Sequence, residues 1–151
     1  MIKPYLIIFY VLVFTMVYLQ KPIQTLTKDN YLFPDNKEKQ FISAEEYFLN
    51  GNSMNYKEFK EANINFQQKL LYKDLSSFIK SQVNDYYYKN LYNVYAHQHS
   101  GVSPNRQVYF YCSVFEDERV LKYKYIIVDA ETSKQIAEGD GTSFKSEDDP
   151  S

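Results

Sequence analysis

Two histidines, one cysteine and three clusters of carboxylates are the groups in this chain with which bond-making chemistry could be done. His97 and His99 flank Gln98, so on a strand both imidazoles would point to one side. A zinc or iron site wants a third and fourth ligand, and the nearest carboxylates, Glu116, Asp117 and Glu118, sit in a separate connection. His97 and His99 are therefore the only metal-ligand candidates, and a solvated pair beside Ser100 and Gly101 is the expected outcome. Cys112 stands within an alternating apolar pattern, where a lone thiol behaves as a small buried apolar residue. The carboxylates at Glu45-Glu46, Glu116-Asp117-Glu118 and Glu147-Asp148-Asp149 fall in loops or the tail, and none forms a pair with contrasting surroundings. With four glycines there is no phosphate-gripping loop, and no serine nucleophile elbow is present. The chain is expected to be no enzyme and to require no cofactor.

Binding chemistry is better represented. Sixteen tyrosines and eleven phenylalanines, with no tryptophan, make 18% of the chain aromatic. Tyrosine offers large contact area at low rotamer cost, which suits a partner-binding surface. AT-rich coding, which also favours Asn and Lys, accounts for the same abundance without any function. Two groups are candidates for protein binding: Tyr86, Tyr87, Tyr88, Tyr92 and Tyr95, and the strand-face set Tyr109, Tyr111 and Phe115. An exposed patch of such rings would mark a partner site; the alternative is that the protein closes over them itself.

The elements that position these residues begin with a greasy leader. Residues 5–19, opened by Tyr5 and closed by Leu19, read YLIIFYVLVFTMVYL without a charge. Such a helix is about 22 Å long against a hydrocarbon core of about 30 Å, and the flanking residues, with Lys3 and Lys21 snorkelling, bring it close to a full crossing. A cleaved secretory signal ends in small residues, whereas Val17-Tyr18-Leu19-Gln20-Lys21-Pro22 offers none. We therefore expect residues 1–23 to be a single-pass membrane anchor, with a signal peptide as the alternative. The rest of the chain would lie outside the cytoplasm. Without Lys3 and Lys21, the 17 basic groups fall to 15 against 19 acidic ones, a net charge of −4. That balance argues against nucleic acid as a partner.

Residues 24–55 are polar, broken by Pro34 and Gly51, and read as a tether. Within it Ser43, three residues before Glu46, can cap a helical turn, and Tyr31-Leu32-Phe33 could pack as an apolar patch or a strand. A small domain then spans residues 56–139. Phe59, Ala62, Phe66 and Leu70, then Leu71, Leu75, Phe78, Ile79, Val83 and Tyr86, recur at helical spacing. They predict one long helix capped by Asn55, bent or split where Asp74 could cap a second segment with Ser77 in its first turn. Period two follows. Residues 106–116 place Val108, Phe110, Cys112 and Val114 on one face. Residues 119–129 set Leu121, Tyr123, Tyr125 and Ile127 opposite Lys122 and Lys124. A tight turn at 116–118 makes these a hairpin. Shorter strands are expected at 91–99 and 135–138, and the polar stretch after Gly139, with the acidic residues 140–151, as disordered tail.

The expected fold class is α+β: an N-terminal membrane helix, a tether, then a helix on a three- or four-stranded antiparallel meander. In arrangement this resembles cystatin-like and NTF2-like small domains over about residues 56–138. The resemblance is architectural: Gln107-Val108-Tyr109-Phe110-Tyr111 departs from the Q-x-V-x-G hairpin of inhibitory cystatins, with Val one place early and the glycine missing. A protease-inhibitor role is not implied. The expected function is a membrane-anchored, non-catalytic protein-binding domain serving as an adaptor, in envelope assembly or in neutralising a toxin. The alternative is a small-ligand or lipid carrier, with a pocket between helix and sheet lined by Phe66, Leu70, Phe110 and Tyr125.

Overall fold

A strand that is apolar on both faces needs cover on both, and the 107–116 segment receives it. The computed structural model describes residues 30–51, 55–83, 89, 91 and 99–145. Its centre is a four-stranded antiparallel sheet of order β1-β2-β3-β4, built from β1 (Ile64–Leu71), β2 (Gln107–Glu116), β3 (Val120–Asp129) and β4 (Gln135–Phe144). A short helix α1 (Ala44–Leu49) precedes β1, and a 3-10 turn (Tyr72–Asp74) leads from β1 into helix α2 (Leu75–Gln82). The α+β class and the β2–β3 hairpin are as the sequence led us to expect. Val114 pairs with Tyr123 and Phe110 with Ile127, and Asp117 Oδ1 closes the turn by accepting from the amides of Arg119 and Val120, each at 2.8 Å.

Three expectations are corrected. The first half of the predicted long helix is β1, preceded by irregular backbone from Asn55. Phe66 and Leu70 are four apart, a spacing that both period 3.6 and period two satisfy. The apolar flank of β2 decides for the strand, pairing Phe66 with Cys112 and Leu70 with Val108. Only the second half is helical, with Ser77 Oγ donating to the Asp74 carbonyl at 2.9 Å.

The second correction concerns β4, which runs on to Phe144 through residues expected to be disordered. Gly139 and Gly141 lie directly across from Tyr125 and Tyr123, whose rings rest on them. A Cβ on Gly139 would stand 2.8 Å from Tyr125 Cε1, and one on Gly141 2.5 Å from Tyr123 Cε1. These glycines make room for rings, as cross-strand partners can, rather than break the strand.

Third, residues 30–51, expected as a tether, are packed on the sheet; we term them the strap. Phe33 forms a parallel bridge to Val102, while Leu32 stays 79% exposed. Ser43 caps α1 as expected, its Oγ accepting from the Glu46 amide at 3.0 Å.

The expected strand 91–99 falls mostly outside the described residues, as do the leader and the tail beyond Lys145. Among the described residues no helix is long and apolar enough to cross a membrane.

The sheet thus carries two cores. Under α2, Val108, Phe110, Cys112 and Val114 join Phe66, Leu75, Ile79, Leu121, Tyr123 and Ile127. Under the strap, Tyr109, Tyr111, Ile126 and Val128 join Ala44 and Tyr47, with Phe41, Phe48 and Tyr56 at the margin.

Candidate partner-binding surface

Alternation along β2 turns Tyr109 and Tyr111 away from α2, and the strap then covers them. They are 1% and 0% exposed. Tyr47 stacks on Tyr109 with ring centroids 4.4 Å apart, and Phe48 and Tyr56 flank Tyr111 at 5.5 and 6.1 Å. The Tyr111 hydroxyl donates to the Ala44 carbonyl at 2.8 Å and that of Tyr109 to the Ile42 carbonyl at 3.2 Å. Burial pushes both phenols above their ordinary values. The sheet-face version of the expected partner site is therefore corrected: these tyrosines hold the protein's own strap. Phe115, half-buried, meets the edge of Phe59 at 6.4 Å. Tyr86, Tyr87, Tyr88, Tyr92, Tyr95 and His97 lie outside the described residues. His99 is exposed, its amide donating to the Tyr72 hydroxyl at 3.1 Å. Among the described residues no three His, Cys, Asp or Glu converge as a metal site would require. Cys112 is fully buried, and burial pushes its thiol up to about 12, far from the thiolate a nucleophile needs. Phe66 and Phe110, expected to line a carrier pocket, touch each other and Phe78 at centroid distances of 5.8–6.4 Å. A ligand at that level would have to displace rings.

The strap is locked by a buried charge cluster that the sequence reading missed. Arg106, just before β2, and Asp129, at the end of β3, are 3% and 0% exposed. The guanidinium grips the carboxylate with two nitrogens, Nη2 donating to Oδ1 at 2.8 Å. Its Nη1 reaches the Pro34 carbonyl at 2.8 Å and Glu131 Oε2 at 2.7 Å. Glu131 also pairs with Lys39 of the strap, and the Gln107 amide donates to Asn36 Oδ1 at 2.7 Å. Burial alone would raise the Asp129 carboxyl, but hydrogen bonds from Arg106 and Thr132 outweigh it and hold it below the ordinary carboxylate value. Lys39 foremost, then Asn36 and Arg106, hold Glu131 low as well. The one signal available was that Arg106 and Asp129 bound the two most apolar strands.

Beyond the strap, an open cleft of about 860 Å³ lies between residues 55–59 and the outer half of the sheet. Its inner wall is Tyr56 and Phe59, pinned by the Phe59 amide donating to Ser113 Oγ at 2.9 Å. Its floor is Lys122, Lys124 and Ile126, with Lys124 Nζ 4.2 Å above the Phe59 ring. Its outer rim is Glu138, Asp140 and Thr142 of β4. The lining offers ammonium groups, carboxylates, a hydroxyl and aromatic surface, which suits the docking of an extended polar chain. Sequence pattern alone does not mark the strap or the second half of β4 as surface-builders, because residues 24–55 read as a tether and the stretch after Gly139 as a disordered tail.

Fold and surface together define an α+β domain: an antiparallel meander with a helix on one face, a strap on the other and an open cleft beside one edge. No protein-family model, no curated protein and no solved structure matches the chain.

Proposed function

We infer that the protein is a membrane-anchored, non-catalytic domain that holds a protein partner outside the cytoplasm, as an adaptor, in envelope assembly or in neutralising a toxin. The observation that carries the binding reading is the open, mixed-charge cleft beside the sheet edge, a concave surface that no described residue covers, while the aromatic face of Tyr109 and Tyr111 is closed by the chain itself. The anchor rests on the uncharged run 5–19. The architecture is of the cystatin-like or NTF2-like kind in that a helix is held against an antiparallel meander; fold of this sort does not fix function. Washing membranes with alkaline carbonate tests the anchor: the full-length chain stays with the lipid, and its release uncut overturns the reading. Photo-crosslinking from position 122 or 57 in intact membranes tests the partner. A discrete adduct of defined mass is expected, and an adduct-free chain overturns the binding function.

A further inference from the structure

The geometry points to the outer edge of β4 as a seat for an extended, basic segment of the partner, added to the sheet as a fifth strand. This rests on the binding reading and names where and what is bound. β4 closes the sheet order and runs ten residues, exposed at every second position from Glu138 to Phe144. In an antiparallel strand the N–H and C=O of one residue point to the same side, and successive residues alternate. Lys145 N donates inward to the Arg119 carbonyl at 2.9 Å. Stepping back from there, Ser143, Gly141 and Gly139 turn inward, so Phe144, Thr142, Asp140 and Glu138 present their backbone groups outward. Such a row is a template for strand addition.

Register fixes which side chains an incoming strand would meet. Thr142, Asp140 and Glu138 stand across from Lys122, Lys124 and Ile126, so they share the cleft face. Among the described residues neither Glu138 nor Asp140 is in an ion pair, and Lys124 is engaged over Phe59 instead. A partner residue directly opposite either carboxylate is favoured if basic and disfavoured if acidic. The same rule turns away a second copy of this chain. The two best-overlapped registers of β4 against β4 set Glu138 against Asp140, or Asp140 against itself. Phe144, 82% exposed at the strand end, adds an apolar contact for the segment's terminus. On the opposite edge strand, β1, two side chains are held by the chain itself, Lys69 Nζ donating to the Phe41 carbonyl and Gln67 Nε2 to Glu58 Oε1 at 2.8 Å.

The test uses the full chain in detergent micelles and a labelled ten-residue peptide of alternating lysine and threonine. Binding is read by fluorescence anisotropy, and backbone protection by hydrogen exchange. The lysine peptide is expected to bind and to slow exchange at Asp140 and Thr142. An equivalent glutamate–threonine peptide should bind at least about tenfold more weakly, and methylating alternate peptide nitrogens should abolish binding. The double variant Glu138→Gln, Asp140→Asn should weaken lysine-peptide binding about tenfold with unchanged thermal stability. Equal affinity for the variant, binding with the β4 amides still exchanging freely, or no binding of the lysine peptide overturns the seat. A crosslinked partner whose footprint misses β4 likewise overturns the seat while leaving the binding function standing.

Discussion

The two faces of the sheet are covered by different means. Beneath α2 the contacts are rings and aliphatic groups from β1, α2, β2 and β3, and Phe66, Phe78 and Phe110 make a carbon-only junction. Beneath the strap, the cover is a mostly irregular segment with one six-residue helix, held by tyrosine hydroxyls, Asn36 and the Arg106–Asp129–Glu131 cluster. A helix satisfies its own backbone and needs only an apolar stripe to dock. An irregular segment must have its backbone groups met from outside, and here Arg106, Gln107, Tyr109 and Tyr111 donate to its carbonyls at Pro34, Asn36, Ile42 and Ala44. One face is held by area, the other by directed bonds.

The contrast can be broken most forcefully at its two centres. Phe110→Ala should cost about 3–5 kcal/mol by transfer and cavity terms, and urea denaturation should show the whole domain weakened. Arg106→Met should cost a similar amount, about 3–5 kcal/mol, by leaving Asp129 buried without its partner. In that variant, limited proteolysis should cut within the strap before the sheet opens.

Acid sharpens the same distinction. Asp129 and Glu131 are held below their ordinary values, so their contribution is full above the unfolded carboxylate range, about pH 4, and is lost as pH falls through the depressed values. Urea midpoints should therefore drop between pH 5 and pH 3 in the parent chain. In Arg106→Met the trend should reverse, because an unpaired buried Asp129 is relieved by taking up a proton.

Gly141→Ala should cost about 1–3 kcal/mol, since the added carbon meets the buried Tyr123 ring and the ring must move; the thermal midpoint would record it. The finest comparison is between two phenols of the strap face. Tyr111→Phe should cost about 1 kcal/mol for its bond to Ala44. Tyr47 buries a hydroxyl with no partner among the described residues, so Tyr47→Phe should be neutral or stabilising by up to about 1 kcal/mol. Equal losses in the two variants would remove the claim that directed bonds hold this face.

What the sequence disclosed follows the same division. The hairpin was legible because β2 and β3 repeat with period two over ten residues each, and Ser43 announced α1 through its spacing to Glu46. β1 was not, because Phe66 and Leu70 fit either period and their partners on β2 are about forty residues away in the chain. The strap was not, because Phe33, Asn36, Ala44 and Tyr47 recur with no period and find their partners at 102–111. Tyr109 and Tyr111 read as a candidate partner surface because their period-two face is aromatic, whereas the segment that covers them is in the same chain. Glu138 and Asp140 gave no signal until the register placed them side by side on an outer strand.

The solitary thiol gives the molecule a built-in clock. Cys112 is enclosed between Phe66 and Tyr125 on the neighbouring strands, with no access for a reagent. Any alkylating agent that tags it has caught the sheet in the act of parting. The tagging rate therefore reads out how often the centre breathes, without a mutation or an introduced label.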